Sequence, residues 1–284
     1  MSKTDLWLAR LSHALPQHAL SRAVHRLARL ESPRLQPLLR AFVRRYGINM
    51  DEAAEPDIGE YASFNALFTR ALREDVRPLA GNDNTVACPV DGRVSAAGRI
   101  EAGQIFQAKG HHYTATELLG GEEDLAAPFR NGHFVTLYLS PQHYHRVHMP
   151  LAGTLTHMIH VPGRLFSVNP RMVRQIPRLY ARNERVVAYF ETHAGPMAVA
   201  LIGAQNVGSI ETTWAGEITP PGGQPYSCAE YPERDVRLER GAELGRFNLG
   251  SSVVLLLPEH PLTLARQLVP EAEVRVRSGI AQLG

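Results

Sequence analysis

The chain has 284 residues, of which 44% are hydrophobic and 20% are charged, and its formal net charge is +2. This composition is ordinary for a soluble or peripheral globular protein with one large domain, or one domain with a smaller appended part. Its two cysteines, Cys88 and Cys228, exclude a disulfide framework and a zinc-type cysteine cluster, so we expect a reducing compartment. No apolar run reaches the roughly eighteen residues of a membrane span, and the N-terminus lacks the apolar core of a secretory signal.

The N-terminal segment is basic and has a helical pattern. Between residues 3 and 45 it carries nine lysines or arginines but only two acidic residues, Asp5 and Glu31. Its apolar residues recur at helical spacing in three groups: Leu6, Trp7, Leu8 and Leu11; Leu20, Val24, Leu27 and Leu30; and Leu35, Leu38, Leu39, Phe42 and Val43. Because proline stops or kinks a helix, Pro16, Pro33 and Pro37 predict a division into about three helices.

Three interpretations of these helices stay open. Basic amphipathic helices with tryptophan and leucine on one side suit the surface of an anionic membrane. Alternatively, the helices cap the protein's own core and their basic face is merely solvated. An arginine-rich, acid-poor targeting presequence is the third possibility.

A further helix is predicted after Ser63, which suits an N-cap position. Phe64, Leu67 and Phe68 follow it as an apolar stripe that indicates packing rather than chemistry. The Gly-Asn-Asp-Asn turn at 81–84 then ends the helical part. We therefore predict an N-terminal helical, membrane-associating region over residues 1–80 and a β-rich catalytic region over residues 81–284.

The remainder of the chain consists of short apolar runs separated by glycine and proline. The predicted strands are Thr85–Ala87, Gly92–Gly98, Phe134–Leu139, Gly153–Val161, Val186–Thr192, Met197–Ile202, Ser209–Trp214, Ser252–Leu257 and a strand from Thr263 onward. Many short strands with frequent turns favour an all-β barrel or sandwich over repeated βαβ units.

Asp91 is the first candidate for chemistry in this region. It precedes Gly92 in Cys88-Pro89-Val90-Asp91-Gly92-Arg93, at a turn between predicted strands. Asp-Gly is also a common hairpin turn, so a purely structural Asp91 is the alternative.

The second candidate is a histidine cluster. His143, His145 and His148 lie within six positions between Pro141 and Pro150, and such side chains titrate near neutral pH. A zinc site is one alternative, and a role in holding the loop together is another, above all for His143. Residues 145 and 148 would point to opposite faces of a regular strand, so a turn or bulge is needed to bring both rings into one site.

The third candidate is Gly250-Ser251-Ser252, directly before the apolar run 253–257. Gly250 has no Cβ, which leaves its carbonyl open to attack, and the Ser251 hydroxyl lies beside that carbonyl. A serine needs a nearby base to act as a nucleophile. A simple turn into a buried strand is the alternative. The glycines and the Gln-Asn pair of residues 203–208 add only a weak indication of a bulge or close backbone approach.

Taken together, these stretches resemble the phosphatidylserine decarboxylase family of the proteobacterial and mitochondrial membrane-bound type. The resemblance spans roughly residues 60–257 in the family's order. The matching stretches are Ser63-Phe64-Asn65 with Phe68 and Arg70; Cys88-Pro89-Val90-Asp91-Gly92; Tyr144-His145-Arg146-Val147-His148-Met149-Pro150; Pro162-Gly163 with Phe166-Ser167-Val168-Asn169; Asn206-Val207-Gly208-Ser209-Ile210; and Gly245-Arg246-Phe247 leading to Leu249-Gly250-Ser251. One departure is Ser252, where the family has threonine. Serine retains the hydroxyl, so we expect processing to survive; the substitution would change its rate at most.

The resemblance implies a proenzyme that makes its own cofactor. His148, oriented by Asp91, would deprotonate Ser251, whose oxygen attacks the Gly250 carbonyl and converts the amide to an ester. β-Elimination would then cut the chain after Gly250 into a β chain, 1–250, and an α chain, 251–284. Loss of ammonia would leave a pyruvoyl group at residue 251. No metal is expected.

In turnover, the resemblance implies a Schiff base between the pyruvoyl group and the amine of phosphatidylserine, which loses CO₂ and yields phosphatidylethanolamine. His145 would be the general acid that protonates the resulting carbanion. Phe166, Ser167 and Asn169 would form part of the substrate-site wall.

The family resemblance also implies a fold and a setting. The fold would be α+β and mainly β, a barrel-sandwich domain related to the duplicated hybrid motif with amphipathic helices N-terminally. We expect a homodimer at the cytoplasmic face of the bacterial inner membrane, a peripheral association with anionic lipid, and no nucleic-acid partner.

Two other functions compete with this one. A metal-dependent hydrolase using His143, His145 and His148 predicts bound zinc and inhibition by chelators. A peripheral lipid-binding or scaffold protein predicts an intact chain and no decarboxylation. The decarboxylase instead predicts chain cleavage and inactivation by carbonyl reagents such as hydroxylamine.

Overall fold

The computed structural model describes residues 17–204, 209–219, 225–231 and 236–284. Helices of the N-terminal part are α1 (Gln17–Ala28), α2 (Gln36–Tyr46) and α3 (Phe64–Phe68). No helix among the described residues has the length and apolar character that crossing a bilayer would need. The first predicted helical group, with Trp7, lies outside the described residues.

The prolines act differently from the prediction. Pro33 begins a short 3-10 turn, whereas Pro37 lies in the first turn of α2 rather than between two helices. That position has no intrahelical acceptor for an N–H, so proline costs nothing there. The helix ends at Gly47, whose left-handed conformation (φ 64°) lets its N–H bond to the Val43 carbonyl.

Helix α1 buries its small and polar side. Gln17, Ser21 and Ala28 are the buried residues, while Leu20 and Leu27 are 39% and 62% exposed. An amphipathic helix of a globular protein normally buries its apolar stripe. Here, leucines face outward from a helix that is attached to the protein body.

The body begins with the strands β1 (Thr85–Ala87), β2 (Gly92–Arg99), β3 (Gln104–Ala108) and β4 (His111–Thr114), followed by the short helices α4 (Ala115–Leu118) and α5 (Glu123–Ala126). It continues with β5 (His133–Leu139), β6 (Arg146–His148), β7 (Gly153–Val161), α6 (Pro170–Val173), α7 (Leu179–Arg182), β8 (Arg185–Thr192) and β9 (Gly195–Ile202). The remaining strands are β10 (Ile210–Thr212), β11 (Gly216–Glu217), β12 (Ser227–Glu230), β13 (Arg237–Leu238), β14 (Glu243–Phe247), β15 (Ser251–Leu257), β16 (Leu262–Leu264), β17 (Glu273–Val274) and β18 (Gly279–Leu283).

Strand β15 lies inside the largest sheet of the described part, between β9 and β5. The order of that sheet is β12-β7-β8-β9-β15-β5-β2-β17, with β13 also paired to β7. All seven residues of β15 are buried, as expected for an apolar strand flanked on both sides. Its first residue, Ser251, pairs with Leu139, the last residue of β5. Ser251 therefore lies at one end of the sheet, where the central strand β15 begins and its neighbour β5 ends.

Smaller sheets support this end of the large sheet. One has the order β11-β10-β14-β6, and it places β14, which leads to Gly250, beside the histidine-bearing β6. The other sheets are β1-β18-β16 and the hairpin β3-β4. The main core extends across all of the large sheet, whereas Leu39, Val43, Ile48, Tyr61 and Leu67 form a separate small core among the N-terminal helices.

The prediction of an α+β, mainly β fold with N-terminal helices is confirmed, and the sheets are open. All nine predicted strands are present within a few residues of their expected ends. The sequence analysis missed the shortest strands and the helices α4–α7, because segments of two to five residues carry little periodicity.

Candidate active site

A cavity of about 530 Å³ opens between the N-terminal helices and the end of the large sheet at which Ser251 lies. Its helical side is apolar, and the side chains concerned are Val24, Leu27, Leu35, Leu38, Phe42, Phe64 and Phe68. Leu249, Gly250 and Ser251 line it from the sheet side, with Tyr138, Leu139 and Pro141. The volume is typical of a small-molecule site.

Gly250 and Ser251 have the surroundings that a reactive peptide bond requires. A Cβ at Gly250 would meet no atom within 4 Å, so the approach to this residue is open. Ser251 is fully buried, and its Oγ has no hydrogen-bond partner in the structure. A buried hydroxyl without a partner costs free energy and calls for an explanation, and a hydroxyl kept free for reaction supplies one.

The segment before Gly250 is anchored from three sides. The Phe247 N–H donates to the His145 carbonyl (3.0 Å), and the Asn248 N–H donates to the Ser209 carbonyl (2.9 Å). The Asn65 amide, one residue into α3, donates to Asn248 Oδ1 (3.1 Å). Ser63 caps α3 as predicted, by accepting from the Ala66 N–H (3.1 Å). The helix thus fixes the chain just before the Gly-Ser pair.

His145 is buried completely beside the cavity wall. Its ring stacks on Phe68, a cavity-lining residue, with a centroid distance of 4.0 Å. Its Nε2 lies 3.1 Å from the Ser140 carbonyl, and its Nδ1 has no partner. Burial, together with the positive charge of Arg70 and the neighbouring His143, holds the pKa of His145 well below its usual value. The ring is therefore neutral at neutral pH.

His148 is held by two groups other than Asp91. Its Nδ1 lies 2.8 Å from the Gly241 carbonyl, and its Nε2 lies 3.0 Å from the Tyr144 hydroxyl. Because a carbonyl oxygen only accepts, this network assigns the proton to Nδ1, and the Tyr144 O–H donates to Nε2. Burial lowers the pKa of His148. The ring is thus a neutral base whose free lone pair is covered by a phenol.

Asp91 is held instead by an arginine. Arg77 donates from Nε to Oδ1 (3.1 Å) and from a terminal nitrogen to Oδ2 (2.7 Å), and the Val276 N–H donates to Oδ1 (2.8 Å). Arg77 also binds Glu52 at 2.7 Å, so this arginine joins a carboxylate of the N-terminal region to Asp91 of the body. Buried bidentate pairs of this kind are geometrically specific.

The predicted triad is therefore not connected in the described conformation. Among the hydrogen bonds of the described residues, none joins Asp91 to His148 or His148 to Ser251. Asp91 and His148 line two different surface grooves. Arg77 and Tyr144 line both of these grooves. Asp91 and His148 share a neighbourhood, while Ser251 faces the apolar cavity.

The histidines do not converge on one point. His143 accepts from the Ser140 N–H through Nδ1 (3.0 Å), which fits the loop-holding role considered for it. Across the described residues, no group of three or more His, Cys, Asp or Glu side chains has the geometry of a metal site. His145 directly precedes β6, and a register shift opposite β6 interrupts its pairing with β14. The extra residue of this shift lies in β14, so it is not the turn or bulge between His145 and His148 that their spacing predicted.

Of the three predicted substrate-wall residues, only Ser167 lines the cavity. Phe166 is buried with the Arg182 guanidinium 5.1 Å from its ring centre. Asn169 caps α6 by accepting from the Met172 N–H (3.0 Å), and its amide donates to Ser167 Oγ (3.0 Å). Asn169 therefore positions Ser167 from behind. Residues 206–208 of the matching stretch lie outside the described residues.

Arg77, Tyr144 and Asn248 were missed as site residues by the sequence analysis. Tyr144 and Asn248 lie within or beside stretches that were singled out, so adjacency was the available signal. Arg77 precedes a proline in an ordinary surface-like stretch, and nothing in the sequence alone indicates its burial beside Asp91.

Comparison with known proteins agrees with this geometry. A family model described as phosphatidylserine decarboxylase matches residues 64–282, and a model described as PSD matches residues 8–47. A phosphatidylserine decarboxylase proenzyme of Alkalilimnicola ehrlichii is 54% identical over 255 residues, which cover 89% of this chain and 88% of the relative. The proenzymes of Shewanella denitrificans (50% identical, 96% of each chain) and Acidovorax ebreus (53% identical, 95% of this chain and 94% of the relative) are similar over nearly their full length.

Proposed function

Because the chain belongs to the phosphatidylserine decarboxylase family, we propose that it decarboxylates phosphatidylserine to phosphatidylethanolamine after cutting itself between Gly250 and Ser251. The observation that carries this proposal is the buried, unpartnered Ser251 hydroxyl at the edge of an apolar cavity. The products would be a β chain, 1–250, and an α chain, 251–284, of one precursor.

In the proposed processing, Ser251 Oγ loses its proton and attacks the Gly250 carbonyl, and the amide becomes an ester as the residue 251 nitrogen is released and protonated. Removal of the Ser251 α-proton then expels the Gly250 carboxylate and leaves dehydroalanine. Addition of water and loss of ammonia give a pyruvoyl group. His148 is the proposed base, since its ring is neutral and its Nε2 carries a lone pair.

Asp91 enters this proposal through its partners. The carboxylate is engaged by Arg77 before cleavage, so it can orient His148 only if it exchanges that partner during processing. Tyr144 must likewise release Nε2 before the ring can take a proton from Ser251. We propose that these two exchanges accompany self-cleavage.

The surroundings of residue 251 fit a pyruvoyl group. The ketone is no larger than the serine it replaces, and the cavity reaches that residue and Gly250. When present, the group would bind the substrate amine covalently and draw off electrons as CO₂ leaves. Ser167 would hold the headgroup, and the apolar helical wall would exclude water.

His145 is the proposed acid of the decarboxylation. Its ring is neutral in the described state, so it must first take up a proton. An anionic headgroup in the cavity would favour that uptake, because a nearby negative charge raises the pKa of a histidine. Phe68, stacked on the ring, would keep it oriented towards the cavity.

The N-terminal helices give the substrate a way in. Leu20, Leu27, Leu30 and Leu38 are exposed by 39–62%, and Leu27 and Leu38 also line the cavity; such leucines suit the boundary of a bilayer. We propose that residues 1–80 form the membrane-associating region at the cytoplasmic face of the bacterial inner membrane, and that residues 81–284 form the catalytic domain. The family resemblance supports a homodimer, which light scattering of the purified protein would test.

The test of the proposal is the intact mass of the denatured protein beside a Ser251→Ala sample. We expect two chains from the wild type, with a blocked α-chain N-terminus, and one uncut chain from the variant. The wild type should release CO₂ from phosphatidylserine and lose this activity with hydroxylamine but not with a chelator. A single uncut wild-type chain without decarboxylation would refute the proposal.

A further inference from the structure

The segment that follows β7 is unusually rich in arginine. Residues 162–183 contain five arginines and no acidic residue, although the whole chain has a net charge of only +2. We call these five residues the arginine surface: Arg164, Arg171, Arg174, Arg178 and Arg182. A local excess of one charge sign is a typical feature of an interaction surface for the opposite sign.

Most of the arginine surface is free of carboxylate partners. Arg164, Arg171 and Arg174 are exposed, and among the described residues none of the three takes part in an ion pair. Arg178 binds Glu117 at 2.7 Å, and Arg182 lies over Phe166. Burial and the neighbouring Arg178 and Arg164 lower the pKa of Arg182, so Arg182 lies close enough to both cations to be repelled by them. Such a cluster gains from a polyanionic partner.

Two hydrogen bonds join the arginine-rich segment to α1, the helix that carries the exposed leucines. The Leu165 N–H donates to Gln17 Oε1 (2.9 Å), and His18 Nε2 lies 2.9 Å from the Gly163 carbonyl. The start of α1 is thus attached to the start of the arginine-rich segment. The same segment supplies Ser167 and Val168 to the cavity that holds Ser251.

We propose that the arginine surface is a second docking site for an anionic bilayer, which binds lipid phosphates while the α1 leucines enter the apolar layer. The inference rests on the proposed function, since the membrane holds the substrate. A lipid bilayer fits better than a nucleic acid or an acidic protein, because it alone offers an apolar layer directly beside its phosphates. The two attachments, through the arginines and through the α1 leucines, would together hold the protein against the membrane that contains its substrate.

The test measures binding of the full-length protein to vesicles of phosphatidylcholine with or without phosphatidylglycerol, which is anionic and is not the proposed substrate. At low ionic strength, Arg171→Gln/Arg174→Gln should bind phosphatidylglycerol vesicles roughly 30-fold more weakly than wild type, because each basic residue near the surface contributes about a factor of five. In about 1 M salt the difference should vanish, since the screening length falls to about 3 Å.

The matched control is Arg130→Gln/Arg266→Gln, which removes the same charge from two exposed arginines that do not line the cavity. We expect this control to bind within about twofold of wild type, since only charges near the surface contribute. Equal weakening of both double variants would overturn the proposal. So would an equal loss of binding to pure phosphatidylcholine vesicles, since that would mean that the two arginines do not bind anionic lipid.

Failure of this inference differs from failure of the proposed function. The arginine variant should still cut itself and decarboxylate phosphatidylserine dispersed in detergent, because none of the exchanged residues touches the cavity. Arg164→Gln, beside the α1 attachment, provides a second variant if the double variant does not fold. If Arg164→Gln also binds like wild type, the proposal is wrong; an uncut wild-type chain would instead refute the proposed function.

Discussion

The surroundings of Ser251 and Asp91 differ in how far their polar groups are satisfied. Ser251 Oγ is buried without a partner, at the wall of an apolar cavity. Asp91 is also buried, but its carboxylate accepts three hydrogen bonds, two from Arg77 and one from the Val276 N–H. One group is kept free at the cost of an unsatisfied hydroxyl, and the other is firmly held. In the uncut chain the hydroxyl of the proposed nucleophile, Ser251, is therefore free. The proposed supporting groups are not: Asp91 binds Arg77, and His148 binds Tyr144.

The largest expected effect comes from replacing Asp91, whose carboxylate is held by Arg77. Asp91→Asn, made in the uncut Ser251→Ala background, should lower the free energy of unfolding by about 1.5–3 kcal/mol, because it weakens charged hydrogen bonds while Arg77 keeps Glu52 as a partner. Urea unfolding followed by fluorescence would measure this loss. In the wild-type background the same substitution should also abolish self-cleavage.

Arg77→Gln is the matched control, since it removes the same ion pair and keeps the carboxylate. We expect a comparable loss of stability but measurable self-cleavage by intact mass. If both variants process at the same rate, the Asp91 carboxylate only anchors the fold and does not orient His148.

A smaller effect is expected from Tyr144→Phe, which uncovers Nε2 of His148. The phenol stabilises the neutral ring, so its removal should raise the pKa of His148. Because the proposed base must be neutral, the low-pH limb of the processing rate should shift to higher pH by the same amount. Timed mass analysis across a pH series would show the shift.

Tyr189→Phe offers a comparison for that experiment. It also removes a largely buried phenol, but from a ring that packs against Phe129 and His157 rather than His148. Its pH profile should match that of the wild type. A Tyr144→Phe profile without any shift would show that the phenol does not influence the base that acts in processing.

The smallest effect is expected at the neighbouring serine. Ser252 is also fully buried with an unpartnered Oγ, but it follows Ser251 along the strand and so projects to the opposite face of the sheet. Ser252→Ala should therefore process within about twofold of wild type, because the hydroxyl that it removes lies beside Tyr180, on the face of the sheet away from the Ser251 hydroxyl. Intact mass over time would measure the rate. Complete loss of cleavage would mean that the Ser252 hydroxyl acts in the reaction.

The sequence by itself determined most of the long strands and indicated the bond that we propose is cut. Alternating and apolar runs bounded by glycine and proline place β5, β7, β8, β9 and β15 correctly, because the two-residue strand period and turn chemistry are local properties. The Gly250-Ser251 pair and the spacing of His145 and His148 were likewise readable in short stretches. The family resemblance connected them in a way that spacing alone could not.

Only the tertiary structure decided which groups meet. Arg77 and Asp91 lie 14 positions apart, and Gly241 reaches His148 from 93 positions away, so no local pattern predicts that these contacts replace the expected Asp91–His148 pair. The outward leucines of α1 are a further case: an apolar stripe predicts a buried face, but the attachment of Gln17 and His18 to residues 163–165 turns the other face inward. Helix orientation and hydrogen-bond partners depend on the whole packed chain, and this is why they could not be derived from the sequence.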